Sequence, residues 1–385
     1  MNRPIYMDYL STTPVDPAVA DAMAKCLGMD GMFGNPASRS HRFGWEAEMA
    51  VEAAREAVAS LINADVREIV WTSGATESDN LAIKGVVQAA RERFPRPHVI
   101  TSAIEHKAVL DSCAALQREG VELSYLSPDN NGLIGAQAVA EALRDNTCLV
   151  SIMHANNEIG TVNDIAAIAS LTRAAGVPLH VDAAQSVGKI SVDVQALDVD
   201  LLSISAHKLY GPKGIGVLYR RRGPQLKVLA QIHGGGQERG LRAGTLPTHQ
   251  IVGMGKAAEL AIEKLPVEGE RLLELRRSLW SGISAVDGVQ LNGHPEQRLP
   301  GVVNFSVADV EGEALLLSLS EFALSTGSAC NSASLEPSYV LHALGLPDAL
   351  AHSSLRVSLG RFTEAADVQL FVQRLQEVVP RLRRG

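Results

Sequence analysis

Seven short apolar runs in the first 220 residues constrain this 385-residue chain more than any other feature. They are EIVWT (68–72), HVITS (98–102), VELSYL (121–126), CLVSIM (148–153), PLHVD (178–182), DLLSIS (200–205) and IGVLYR (215–220). Their near-continuous apolar character is that of strands covered on both faces. Stretches with helical periodicity lie between several of them, at 78–93, 106–119, 136–145 and 163–175. Strands alternating with helices predict βαβ units and an α/β fold with a large, mostly parallel sheet. The pattern changes after HGGGQERGLRAGT (233–245). A long helical stretch through 252–265 and 268–283 comes first, followed by an expected strand at 301–307, a helix at 311–320 and LRVSLG at 355–360. This predicts a second, smaller α+β domain. The expected division gives 15–265 to the large domain and 1–14 with 266–385 to the small one.

Charge and cysteine usage narrow the function classes. Lys plus Arg number 35 against 43 Asp plus Glu, a net charge of −8, which argues against phosphate-backbone binding and so against nucleic acid as main partner. The start MNRPIYMDYL has no apolar leader core, and no apolar run is long enough to span a bilayer, so no membrane role is expected. Cys26, Cys113, Cys148 and Cys330 are far apart with no C-x-x-C pair, so neither a disulfide framework nor a zinc site is indicated. A reduced, cytoplasmic protein is expected.

Polar residues gather just past the ends of the expected strands: SGATESDN (73–80), Glu105 and His106, His154 to Glu158, Asp182 and Gln185, and Ser205 to Lys208. Ligands of open α/β sheets bind at such ends, and five clusters together point to one site. The small residues Ser73 to Thr76 open a helix and suit either an anion cup or an ordinary capped turn. GMGKAA (253–258) lies in a helical stretch, so small residues packing a helix outweigh a dinucleotide fingerprint. HGGG (233–236) has no accompanying nucleophile elbow. Lys208, ending one strand region, is able to form a Schiff base if its amine is desolvated. Asp182, ending the preceding strand, is the carboxylate a pyridoxal ring nitrogen needs. His106 is placed to stack on such a ring and move protons. Cys330 lies in STGSACNSASLEPS (325–338), a small, polar stretch expected to be a mobile loop carrying a reactive thiol.

These residues sit in ten ordered motifs, among them TSGATESDNLAIKG (72–85), HVDAAQSVGK (180–189), SAHKLYGPKGIG (205–216) and TGSACNSASLEPSYVL (326–341). Nearly end to end, the chain resembles the group I cysteine desulfurases, most closely the housekeeping IscS type, with the NifS type as a near relative. The resemblance implies a fold-type I pyridoxal 5'-phosphate enzyme with a seven-stranded large-domain sheet, working as a homodimer. It implies that Lys208 holds the cofactor, Asp182 pairs with its ring nitrogen, Gln185 and Asn157 bond near the ring hydroxyl, and His106 stacks on the ring. Ala75, Thr76, Ser205 and His207 would hold the phosphate, joined by Thr245 from the other subunit. Asn35 and Arg356 match substrate-carboxylate positions.

The implied activity removes sulfur from L-cysteine, giving L-alanine and a persulfide on Cys330. An acceptor for iron–sulfur cluster assembly or another sulfur-transfer pathway, such as an IscU- or NifU-like scaffold, then takes the sulfur. Cys330 would also be the ligand if a transient cluster is shared with that scaffold. Protonated His106 is expected to favour the Cys330 thiolate. A lyase releasing free sulfide or selenide, and a regulator that has lost turnover, are the competing readings. Intact Lys208 and Asp182 weigh against the second, and alanine formation without Cys330 would mark the first. Housekeeping members continue into a scaffold-docking tail where this sequence stops at Arg384-Gly385, which leaves the docking mode open, and DYLSTT stands where DYSATT is commoner.

Overall fold

The computed structural model describes residues 3–223, 226–326 and 337–384. Strand β1 (Ile5–Tyr6) and helices α1 (Pro17–Ala24) and α2 (Arg42–Leu61) come first. The seven apolar runs become β2 (Ile69–Thr72), β3 (His98–Ser102), β4 (Glu122–Leu126), β5 (Thr147–Ser151), β6 (Leu179–Asp182), β7 (Leu201–Ser205) and β8 (Gly216–Arg220). They form one sheet in the order β2-β8-β7-β6-β5-β3-β4. All pairs are parallel except those of β8, which runs antiparallel to both neighbours. Five of these strands are buried along their whole length, which is why they read as unbroken apolar runs.

Helices α3 (Ala75–Ala90), α4 (Lys107–Arg118), α5 (Ala136–Ala142) and α6 (Ile165–Ala174) connect the strands. Helix α3 starts three residues before its expected position, because its first turn is polar and faces a cavity. Helix α7 (Thr248–Ile283) is continuous through Pro266, so the expected domain division at 265/266 falls inside it. Proline costs a helix one hydrogen bond. Here both halves are packed: Met254, Ala257 and Ala258 join the core under the large sheet, and Leu272, Leu279 and Ile283 join a second core.

That second core lies against β9 (Val289–Asn292), β10 (Val302–Val307), helix α8 (Gly312–Ser318), β11 (Phe322–Ala323), β12 (Ser325–Thr326), β13 (Ser354–Ser358) and α11 (Ala365–Leu382), whereas helices α9 (Tyr339–Ala343) and α10 (Asp348–His352) pack on the first core through Val340, Leu341 and Ala351. The antiparallel order is β12-β13-β10-β9, with Phe305, Leu355, Val357 and Phe371 inside. β1 pairs in parallel with β11, and Asp8 bridges to Ser358. The N-terminal segment then crosses to the large sheet, where Thr13 N–H and its hydroxyl donate to the His207 carbonyl at 2.9 and 3.0 Å. Among the described residues no helix is long and apolar enough to cross a membrane.

Candidate active site

A cavity of about 530 Å³ opens at the carboxyl ends of β2, β6 and β7, and the polar clusters read from the sequence meet in it. At one end of it is the start of α3. Gly74, the N-cap, has φ +153° and makes no side-chain cap bond, so the first backbone N–H groups, at Ala75 and Thr76, are not capped by it. Such a helix start is an anion site. The glycine opposite is required: a Cβ on Gly216 would lie 2.6 Å from Gly74 Cα. Ser205 and His207 stand beside this helix start. Burial, aided by Lys208, Lys213 and Lys189, pulls the His207 pKa down to about 4, so its ring is neutral, with Nδ1 3.0 Å from Thr12 Oγ1.

The floor is a group of carboxyl residues. Asp182 Oδ1 accepts from Ala184 N–H at 2.9 Å, and burial raises its pKa against the opposing pull of His106, Ala184 and Lys208. No ion pair reaches Asp182 among the described residues, and a protonated pyridine nitrogen in the cavity would offset that burial. Beneath it, burial and then the Asp182 charge push Asp79 well above the usual carboxylate range, and Asp79 Oδ1 lies 3.5 Å from His180 Nε2. Burial raises Glu105 to about 8, although it accepts from Ser102 Oγ at 2.6 Å and Met153 N–H at 3.0 Å. Glu105 therefore holds its proton at neutral pH, and of these three carboxyl groups Asp182 is the one that lines the cavity.

Lys208 ends the turn after β7, and its Nζ donates to the Leu10 carbonyl at 2.5 Å and the Ser11 carbonyl at 2.8 Å. The Leu10 carbonyl also accepts from Gln185 Nε2 at 2.9 Å. His106 caps α4: its Nδ1 accepts from Ala108 N–H at 3.1 Å, so the neutral ring carries its proton on Nε2. Burial lowers the His106 pKa, with Lys208 adding to it and Asp182 and Asp111 opposing. The expectation of a protonated His106 is corrected by this environment: the resting ring is neutral and its Nδ1 is already engaged.

Arg356 on β13 closes the cavity. Its Nη2 donates to Asp8 Oδ1 at 2.9 Å, Ser11 Oγ at 2.7 Å and Ser325 Oγ at 3.0 Å, and its Nη1 donates to the Asn157 carbonyl at 2.6 Å. Asn35 and Thr245 are not brought here; they line a separate cavity of about 290 Å³. Cys330 lies outside the described residues, as does most of the expected 325–338 loop. Its described flanks are tied to the cavity wall: Ser325 Oγ donates to Asp8 Oδ1 at 2.8 Å, Ser338 Oγ donates to the Glu158 carboxylate, and Tyr339 OH donates to the Glu105 carbonyl at 2.6 Å. The three described cysteines are buried, and burial pushes Cys113 and Cys148 up to about 12. No group of His, Cys, Asp or Glu suited to a metal ion occurs among the described residues.

The sequence reading missed the Leu10 and Ser11 carbonyls, Asp8, Lys189 and Lys213. The first three belong to the quoted DYLSTT motif, but their role depends on contacts between residues 197 to 348 positions apart, which no local pattern carries.

Residues 5–371 match the family model described as aminotransferase class-V. The chain is 60% identical over 383 residues to "Cysteine desulfurase IscS" of Aeromonas hydrophila subsp. hydrophila, covering 100% of this chain and 94% of that one. Among solved structures, a "NIFS-LIKE PROTEIN" matches with TM-score 0.90 and 35% identity over 98% of this chain and 100% of that one. "SspA in complex with cysteine" matches with TM-score 0.82 and 40% identity over 92% and 98%.

Proposed function

The chain belongs to the aminotransferase class-V family and is a pyridoxal phosphate-dependent cysteine desulfurase, and from that premise we propose how its own residues divide the work. When bound, pyridoxal phosphate supplies an electron sink for reactions at the α-carbon of an amino acid. Lys208 would hold it through Nζ, with Asp182 at its ring nitrogen, Gln185 and Asn157 near its ring hydroxyl and His106 over its face. Ala75, Thr76, Ser205 and His207 would hold its phosphate, with the partner subunit's Thr245 completing the set. The observation that carries this assignment is one cavity holding an uncapped helix start, the Lys208 amine and a buried carboxylate, Asp182, that forms no ion pair among the described residues.

Arg356, in the cavity wall, would orient the L-cysteine carboxylate. Lys208 Nζ is the base that takes the α-proton, because His106 Nδ1 is already an acceptor and Nε2 carries a proton. His106 serves instead as a donor through Nε2–H. The Cys330 thiolate then attacks the substrate sulfur. The carbon–sulfur bond breaks with its electron pair staying on carbon, carbon takes up a proton and leaves as L-alanine, and the sulfur remains as a persulfide. Support for Cys330 comes from the other thiols, which burial keeps protonated, and from the anchoring of both flanks of its segment at the cavity. The persulfide passes to a scaffold or other acceptor protein in the cytoplasm, and Cys330 is the residue that would ligate a shared cluster.

We propose a homodimer as the working unit. Leu27, Met29, Phe33, Phe43, Trp45 and Met49 are exposed around the start of α2, an apolar area of the kind that marks an interface. The test is mass spectrometry after L-cysteine treatment. One reducible extra sulfur is expected on the peptide containing Cys330, and Cys330→Ser should bind cofactor yet form no alanine. Sulfur on Cys113 or Cys148, or normal turnover by Cys330→Ser, would overturn the assignment.

A further inference from the structure

A larger cavity, about 740 Å³, opens where the end of α2, the turn after β6, the middle of α7 and residues 296–300 meet. Its walls are largely aliphatic, with Leu61, Ile190, Leu265 and Leu273 among them. Three cations stand in this wall: Lys189, Arg276 and Arg298. Among the described residues none of them forms an ion pair, and no carboxylate offsets the burial that lowers each one's pKa.

Arg298 is only 7% exposed. Its Nη2 donates to the carbonyls of Ile159 at 2.6 Å and Asn292 at 3.1 Å, while its Nε has no partner. Arg276 makes one long bond, 3.4 Å, to the Leu299 carbonyl. Lys189 donates to the Gln185 carbonyl at 3.1 Å and to Gln185 Oε1 at 3.3 Å. Glu270 and Glu296 are at the rim and exposed, where water screens them. Arg298 is buried, and Lys189 and Arg276 are half-buried; a buried cation without a counter-charge is costly and rare unless something completes it. Burial and the neighbouring Arg276 bring Arg298 down to about 9, and burial with Lys208 brings Lys189 down to about 7.

We propose that this cavity is a binding site for a small aliphatic carboxylate, its charge set between Arg276 and Arg298 and its chain along Leu61, Ile190, Leu265 and Leu273. Complementarity decides the occupant: a fully polar anion would leave the aliphatic wall wet, and a neutral hydrocarbon would leave the cations unanswered. Lys189 joins the site to Gln185 and so to the cofactor cavity, which gives an occupant a physical contact with the catalytic region.

The test is calorimetric titration of the cofactor-loaded protein with octanoate. Saturable binding of one octanoate per chain is expected, weakened about tenfold or more in Arg276→Glu. Lys189→Met, which keeps the stem and removes the charge, should weaken it in the same direction. The cofactor absorbance of each variant reports that it is folded. Absence of saturable binding at millimolar octanoate, unchanged binding in Arg276→Glu, or equal uptake of octyltrimethylammonium would overturn the proposal.

Discussion

Glu105 keeps its proton at neutral pH because burial outweighs the bonds from Ser102 and Met153, and this has a sign that stability measurements read. Its folded pKa of about 8 lies above the ordinary 4.5. Its contribution is therefore complete below pH 4.5 and is lost as pH rises towards 8, at roughly 1.4 kcal/mol per pH unit. Glu105→Gln, which needs no proton, should be more stable than the parent at pH 8 by a few kcal/mol, with the difference shrinking towards pH 5. Urea unfolding at the two pH values checks this, and parallel pH profiles for parent and variant would refute it. At this scale Lys208 and Asp182 were legible because strand ends are recognisable in sequence. Glu105 was visible as a polar residue there, but its protonation was not, since that depends on how completely Asp182, Asp79 and the sheet surround it. His106 was legible as a position and misread as a charge for the same reason.

Helix α7 illustrates what pattern reading captures in an element. The GMGKAA stretch has small residues because neighbouring helices press on it: a Cβ on Gly255 would lie 2.6 Å from both the Cα and Cβ of Ala54 in α2, and one on Gly253 would meet the Met23 side chain at 2.7 Å. Gly255→Leu improves intrinsic helix propensity yet forces α2 and α7 apart. It should destabilise the protein by about 2 kcal/mol or more in chemical denaturation; a neutral or stabilising result would mean the helices are not held at this distance. The seven large-sheet strands were legible because burial on both faces leaves an unbroken apolar signature. Helix α2 and strand β9 have no counterpart among the expected elements. The buried stripe of α2 is largely Gly44, Ala47, Val51, Ala54 and Val58 with a charged Arg55, which gives weak contrast, and in β9 only Asn292 is fully buried. Arg55 is there because its guanidinium pairs with Glu238 at 2.8 and 2.9 Å, a contact 183 residues away.

For the whole molecule we propose two lobes, 15–265 and 1–14 with 266–385, joined by α7, and two such chains sharing each pair of sites. Mixed dimers test the sharing. Lys208→Ala and Thr245→Glu should each be inactive, and dimers re-formed from an equal mixture should regain about a quarter of parental activity, because one site in each mixed dimer has both residues intact. No recovery, with mixed dimers verified by mass, would place Thr245 in its own subunit's site. The docking of Lys208 on Leu10 and Ser11 also bears on how the enzyme is born. Leu10 N–H is held by Ser358 Oγ at 3.0 Å, 348 residues later in the chain, and β1 pairs with β11. A ribosome therefore releases the first piece of the lysine's berth at the outset and the piece that fixes it only near the end of translation. The large sheet can assemble while the chain is still growing, but a polypeptide interrupted before residue 358 has a finished scaffold and an unfinished seat for its amine, so incomplete products are kept from acting as partial enzymes.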